Sequence, residues 1–329
     1  MSDGPILRVR DLKKYFEISS LLGRSRAFVK AVDGVSFEIG DKEVFSLIGE
    51  SGSGKTTTGR LILRLIEPTS GSINFMGKEI VGMGEEEMRR MRKDMQIIFQ
   101  DPYASLNPRM RIGDAVAEPL IVSGLANEEE AKERAIEMLD RVGLIPGKEM
   151  AQRLPHNLSG GQRQRVAIAR AMITRPKFIV ADEAVSMLDM SIKASIVSLL
   201  ESFRREVGLS MLFITHDISI AKLISDRVAI MYLGKIVEMG PMRRIIESPA
   251  HPYTKALLEA VPSVMRRKRE KTIELKGEMP DPRNPPSGCR FSNRCPFANE
   301  RCHREEPALV EIERGHFVSC HFPLPPASH

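Results

Sequence analysis

A short run, Gly49-Glu50-Ser51-Gly52-Ser53-Gly54-Lys55-Thr56, constrains what this chain can fold into more than any other feature. It follows an apolar, β-branched stretch, Val44–Ile48, and opens a segment of helical periodicity, Thr56–Ile66, that Pro68 stops. Glycines at these spacings let backbone N–H groups curl around an anion, and the helix N-terminus behind them adds partial positive charge. The pattern G-x-x-x-x-G-K-[ST] between a strand and a helix is therefore a phosphate cradle. In it Lys55 reaches the β/γ-oxygens of a nucleoside triphosphate and the Thr56 hydroxyl ligates Mg²⁺, while Ser51, Ser53 and Thr57 complete the set expected around the phosphates.

Two further apolar runs read as parallel strands buried on both faces. Phe178–Ala181 ends in Asp182 and Glu183, and Met211–Ile214 ends in Thr215-His216-Asp217. At a strand tip in a chain with a phosphate cradle, Asp182 suits the Mg²⁺ coordination shell and Glu183 suits the general base that polarises an attacking water. Residues 6–48 hold short strands, Ile6–Val9, Val35–Ile39 and Val44–Ile48, with Ser19–Lys30 expected to be an exposed insertion. Glu128–Val142 carries apolar residues at 131, 135, 138, 139 and 142, a helical stripe. Leu158-Ser159-Gly160-Gly161-Gln162 precedes another helix, Arg163–Thr174, and predicts a second anion-binding helix N-terminus. One nucleotide needs one cradle, so the second is expected to serve a nucleotide held by another molecule.

With LSGGQ lying between the phosphate loop and the acid pair, the chain resembles the ATP-binding cassette (ABC) ATPases. The resemblance implies an α/β P-loop NTPase fold with a mixed sheet core and a helical subdomain, here about residues 101–157. It also implies that Ser159, Gly160, Gly161 and Gln162 close over ATP held on a partner's loop. Gln100 matches the family's Mg²⁺-sensing glutamine, Leu188-Asp189 the segment that crosses the dimer interface, His216 the histidine that contacts the γ-phosphate, and Tyr15 the aromatic that stacks on adenine. Phe16 and Phe28 are rivals for that last role. One segment departs from the pattern: where the family usually reads D-E-P-x-S-A-L-D, this chain has Ala184 and Met187.

Four stretches narrow the resemblance to the ATPase subunits of oligopeptide/dipeptide importers: AVDGVSF at 31–37, GESGSG at 49–54, IFQDPYASLNP at 98–108 and HPYTKALL at 251–258. The insertion and the wording QDPYASLNPR favour the F-type subunit. This implies a D-type partner ATPase, two transmembrane permeases and, indirectly, a substrate-binding protein outside the cell. The resemblance places the chain at the cytoplasmic face of the membrane; composition, with 42% of the 329 residues hydrophobic and 28% charged, is that of a globular chain. No apolar run approaches the ~18 residues of a membrane span, and no secretory pattern opens the chain. The net charge of +6 is diffuse, and its densest basic run, Arg266–Arg269, reads as a solvated linker.

After about residue 245 proline and cysteine become frequent, so the expected domains are 1–245 and a loop-rich extension, 246–329. Cys289, Cys295, Cys302 and Cys320 cluster there. In a cytosolic protein four thiolates can hold Zn²⁺ or an iron–sulfur cluster, and the absence of a C-x2-C pair weakens the zinc-ribbon reading. The importer resemblance implies a [4Fe-4S] cluster, with Zn²⁺ the alternative and His303, His316 and His321 as spare donors. The extension is expected to lack a sizeable apolar core, to take its order from the metal centre and to leave ATP binding to the rest of the chain. Competing functions are an ATPase acting on nucleic acid or ribosomes and a scaffold for iron–sulfur assembly. The first is disfavoured because a single cassette is present without a long coiled coil between Lys55 and Ser159. The second gives no role to QDPYASLNP or HPYTKALL. Importers of oligosaccharide or nickel remain open as cargo classes.

Overall fold

The computed structural model describes residues 4–19, 26–260, 277 and 279–326; the basic run Arg266–Arg269 lies outside them. The first half of the chain forms β1 (Leu7–Ser19), β2 (Arg26–Ile39), β3 (Val44–Ile48), α1 (Lys55–Ile62), β4 (Ser70–Phe75), β5 (Lys78–Glu79), α2 (Glu85–Met91), β6 (Met95–Ile98), α3 (Pro102–Ser105), α4 (Ile112–Val122), α5 (Glu128–Arg141) and α6 (Gly147–Ala151). There follow α7 (Gly160–Met172), β7 (Phe178–Asp182), α8 (Met190–Val207), β8 (Ser210–Thr215), α9 (Ile218–Ile224), β9 (Arg227–Tyr232), β10 (Lys235–Pro241), α10 (Met242–Glu247), α11 (Pro252–Glu259), α12 (Glu300–Arg304), β11 (Val310–Glu313) and β12 (His316–Val318).

These elements fall into two compact units that interleave along the sequence. One comprises residues 7–38, 44–75 and the chain from Thr215 onward; the other comprises the stretch ending at Ile6 together with 39–43 and 76–214. In the first unit β1 pairs antiparallel with β4 and lies beside β2, while β3 pairs parallel with β9, which pairs antiparallel with β10. The order continues through β12 to β11, both antiparallel. In the second unit β8, β7 and β6 run parallel, and every residue of β7 and β8 is buried. That burial explains their unbroken apolar sequences.

Several boundaries differ from the sequence expectation for local reasons. Residues 26–30, expected in an exposed insertion, extend β2 instead, and residues 20–25 lie outside the described chain. β1 is equally long because charged residues alternate with the buried Leu7, Val9 and Leu12, a half-buried pattern that a search for apolar runs misses. α1 stops at Ile62, where Arg64 turns left-handed at φ 49°, well before Pro68. α5 follows its predicted stripe: Asn127 caps it by accepting the Glu130 N–H at 2.9 Å, and Ala131, Ala135, Met138 and Leu139 face inward.

The C-terminal segment departs most from expectation. It shares a core with the strands around it: Phe291, Cys289 and Cys302 pack with Ile48, Val228, Ile230, Tyr232 and Tyr253. The extension therefore does not lack an apolar core, as its proline-rich composition implied, because it borrows the surfaces of β3, β9 and α11. The His-Pro-Tyr start of α11 has a physical reading. His251 caps the helix, its Nδ1 accepting the Tyr253 N–H at 3.1 Å, and Pro252 fills the first turn, where an N–H has no helical partner. Burial holds His251 down to about 4, so the ring stays neutral and can accept.

Beneath that cap the Glu238 carboxylate, fully buried, accepts the Ala250 and His251 N–H groups at 2.7 and 2.9 Å and lies 2.8 Å from His316 Nε2. It joins β10, the start of α11 and β12 in one polar knot. Glu238→Leu is expected to strand those donors and cost about 3 kcal/mol, read as a lower denaturant midpoint. A wild-type midpoint would show that the knot holds nothing together.

Candidate active site

The loop between β3 and α1 is shaped by what a side chain would strike. An added methyl at Gly49 would stand 2.2 Å from the Met231 carbonyl oxygen, and one at Gly54 2.2 Å from that of Ala31, with Gly54 already at φ 105°. Gly54 begins α1 without any side-chain cap, and a helix N-terminus of this kind carries the partial positive charge that attracts an anion. Lys55 is buried, and its Nζ donates to the Gly49 and Glu50 carbonyls at 2.7 and 2.9 Å and approaches Ser53 Oγ at 3.5 Å. Ser53 is also buried, Ser51 and Gly52 are exposed, and Thr56 and Thr57 are half-buried.

Tyr15 belongs to the same unit, but its polar end is engaged. The hydroxyl donates to Asp33, Lys30 Nζ stands 5.6 Å from the ring centroid, and burial with the Asp33 contact pushes the phenol up to about 12. Burial works against ionisation of Asp33, yet the Tyr15 hydrogen bond and the Lys235 and Arg290 charges hold its carboxyl below the usual range. The rival aromatics Phe16 and Phe28 are exposed at 41% and 45%. His216 lies exposed just past β8, where Asp217 caps α9 by accepting the Ser219 N–H at 2.9 Å.

In the other unit Gln100 Nε2 donates to Glu183 Oε2 at 3.0 Å, bringing together two residues far apart in sequence. Asp182, at the end of β7, is 3% exposed. Glu183 sits in the left-handed region at φ 47°, which a non-glycine residue adopts at a cost of about 1–3 kcal/mol. Its N–H is fixed by the Ile214 carbonyl at 2.9 Å, and its carbonyl accepts the Ser186 N–H and hydroxyl, both at 3.0 Å. Ala184, where the family pattern has proline, is buried within this turn, whereas Met187 and Met190 are 68% and 66% exposed.

The LSGGQ segment is a capping box. Ser159 Oγ accepts the Gln162 N–H at 3.3 Å and Gln162 Oε1 accepts the Ser159 N–H at 2.9 Å, so α7 starts at Gly160, three residues earlier than the apolar pattern indicated. Two of the amides that the sequence offered to an anion are thus engaged within the segment itself. Gly161 lies against Ile192 of α8, and Gly160 near Leu188. Asp189 caps α8, and hydrogen bonds from Ser191 and the Ile192 amide hold its carboxyl below the usual range. Sequence reasoning missed how QDPYAS joins this group: Asp101 caps α3, Arg163 stacks 3.6 Å over the Tyr103 ring, and Arg170 donates to the Ser105 carbonyl at 2.8 Å. The signal was available as arginines on α7 following an aromatic in a capped turn.

In the C-terminal segment Cys289, Cys295, Cys302 and Cys320 line one small cavity with His251, Phe291 and Phe322. Burial pushes the Cys289 and Cys320 thiols up to about 11 and raises Cys295 as well. Such thiols stay protonated in water-like conditions and would ionise on binding a thiophilic centre. Among the described residues no three His, Cys, Asp or Glu side chains are arranged to hold a single metal ion.

Residues 32–186 match the family described as ABC transporter, and residues 237–302 the family described as oligopeptide/dipeptide transporter, C-terminal region. The oligopeptide transport ATP-binding protein AppF of Bacillus subtilis is 48% identical over 321 residues, spanning 96% of this chain and 97% of its own. The di/tripeptide transport ATP-binding protein DppF of Pseudomonas aeruginosa is 44% identical over 316 residues, spanning 96% and 97%. A solved dimeric, post-hydrolysis structure of the ATP-binding cassette MJ0796 bound to ADP and Pi matches with a TM-score of 0.64 at 30% identity, covering 72% of this chain and 99% of that one.

The fold and the phosphate loop are those of an ABC ATPase. More narrowly, the chain belongs to the ATP-binding proteins of oligopeptide/dipeptide ABC transporters. Gly54→Ala would set a methyl against the Ala31 carbonyl at a left-handed backbone position, and it is expected to weaken ATP binding more than about tenfold. Equilibrium titration with ATP measures this; an unchanged affinity would mean that the loop does not need its observed shape.

Proposed function

We propose that this chain hydrolyses ATP to drive import of di- or oligopeptides through an ABC transporter, working as the F-type subunit beside a D-type partner and two permeases. Similarity to AppF and DppF across nearly the whole chain carries the reading. In this reading translocation belongs to the permeases and this chain sits peripherally at the cytoplasmic face; among the described residues no helix is long and apolar enough to cross a membrane. A substrate-binding protein acts indirectly, and nucleic acid has no part in the scheme.

In this mechanism Lys55 and the amides of the Gly49–Thr57 loop bind the phosphates, and Glu183 takes a proton from the attacking water while Gln100 orients its carboxylate. Thr56, Asp182 and Gln100 are the proposed Mg²⁺ ligands; the ion would neutralise charge developing on the phosphates. His216 contacts the γ-phosphate, and Tyr15 stacks on adenine. Ser159, Gly160, Gly161 and Gln162 complete a partner's site with Asp189 at the junction, a role that the exposed Met187 and Met190 support by offering apolar contact area.

Residues 1–245 would form the nucleotide-binding domain and 246–329 the importer-type extension. Its four cysteines would hold a [4Fe-4S] cluster, which when bound supplies a covalent tie among the loops that carry them. Four thiolates on one zinc stand only about 3.8 Å apart, from bonds of about 2.3 Å. What supports a common centre is that all four cysteines line one small cavity.

Glu183→Gln in the assembled transporter is expected to retain ATP and to lower steady-state hydrolysis by about 10²-fold or more. Turnover at the wild-type rate would remove Glu183 from the role of base. Protein purified without oxygen is expected to be brown, with iron and sulfide each near four per chain, the content of a [4Fe-4S] cluster. Colourless protein with one zinc per chain would replace the cluster with the alternative ion and leave the transport reading in place.

A further inference from the structure

The segment between Cys289 and Cys295 carries two arginines, and both reach back to the phosphate-loop end of their unit. Arg290 donates to the Leu233 carbonyl at 3.2 Å and pairs with Asp33, and its side chain is 6% exposed. Arg294, equally buried, donates through one nitrogen to both oxygens of Glu50 at 3.0 and 3.2 Å and to the Tyr232 hydroxyl at 3.4 Å. Glu50 is the second residue of the phosphate loop. A guanidinium removed from water to this extent keeps its counter-charge, because an unpaired buried charge is among the most costly arrangements in a fold.

Glu50 is held at its other polar groups too. Its N–H donates to the Tyr253 hydroxyl at 3.0 Å, and its carbonyl accepts the Lys55 Nζ at 2.9 Å and the Ser53 N–H at 3.2 Å. Tyr253 and Tyr232 are anchored against each other and against Phe291, with ring centroids 4.8, 5.3 and 5.4 Å apart. The peptide that opens the cradle is therefore clamped by groups from the C-terminal family region. No part of the loop motif itself requires such a clamp, since glycines and Lys55 alone define it.

We infer that Arg294, together with Tyr253, is a positioning residue for ATP binding: by fixing Glu50 it sets the cradle and the reach of Lys55, and so couples the cysteine-bearing segment to nucleotide affinity. This rests on the reading of Gly49–Thr56 as the nucleotide site. It also replaces the expectation that the extension leaves ATP binding untouched. Arg294 does not touch the reacting atoms; its effect passes through Glu50.

The test uses the full chain and equilibrium titration with ATP, with melting temperature and thiol count recorded for every variant. Arg294→Met and Glu50→Gln are each expected to weaken ATP binding about tenfold. The double variant is expected to be no weaker than the worse single one, because both remove one shared contact. Arg294→Lys, which keeps the charge, should recover part of the loss. In the assembled transporter the defect should fall on KM for ATP rather than on kcat.

A role in stability alone predicts a lower melting temperature with ATP affinity within about twofold of wild type, and that outcome overturns the inference, as do additive losses in the double variant. Should Arg294→Met fail to fold, Glu50→Gln decides, since its side chain is already 29% exposed and the substitution keeps its size. Lys55→Ala separates the two levels. If it binds ATP normally, the nucleotide-site reading falls; if it loses ATP while the Arg294 and Glu50 variants do not, the positioning role alone falls.

Discussion

A backbone that offers its amide groups to an anion cannot also spend them on itself. The turn between β3 and α1 is built around that constraint: glycines sit where carbonyls of β2 and β9 crowd the chain, and the helix behind begins with no side-chain cap. Neighbouring groups hold this conformation in place. Met231 and Ala31 present the carbonyls that exclude side chains, the Gly234 N–H ties to the Ser53 carbonyl at 2.8 Å, and Lys55 rests on carbonyls of its own loop. The start of α7 solves the same problem differently, since Ser159 and Gln162 satisfy two of its terminal donors reciprocally.

The second organising element is the apolar patch shared by β3, β9, α11 and the cysteine segment. Phe291 stands at its centre, in contact with two tyrosines and His251. Because this patch also receives Cys289 and Cys302, the cysteine-bearing segment and the strand that leads into the phosphate loop have one packing surface in common. Close-packed interiors transmit displacement poorly to empty space and well to neighbours. Cys289 and Cys302 belong to the same packed cluster as Tyr232 and Tyr253, on which the Glu50 clamp rests.

Much of this was legible in the residues. The strand before Gly49, the buried runs ending at Asp182 and Thr215, and the stripe of α5 appear where apolar periodicity put them, because burial alone decides those elements. β1 and β2 were underestimated, since charged residues interrupt their apolar positions and break up the continuous runs that mark a strand. Gln100 and Glu183 were each singled out by the order of motifs, but their contact was not, and the left-handed Glu183 has no sequence signature. Composition misrepresented the extension most. Prolines and cysteines mark loops correctly, yet they say nothing of whether those loops lie on a core made by other segments. The Arg294–Glu50 pair, like the Glu238 knot, exists only once distant strands are in place.

That pair spans 244 positions. A ribosome adding about 5–20 residues per second delivers Arg294 roughly 12–50 s after Glu50. For that interval the opening peptide of the phosphate loop exists in the nascent chain without its clamp, however early the surrounding strands pair. Vectorial synthesis therefore makes the first-formed functional loop the last to be finished, and a chain released short of its cysteine segment would carry every residue of the loop motif while lacking the groups that hold Glu50 in place.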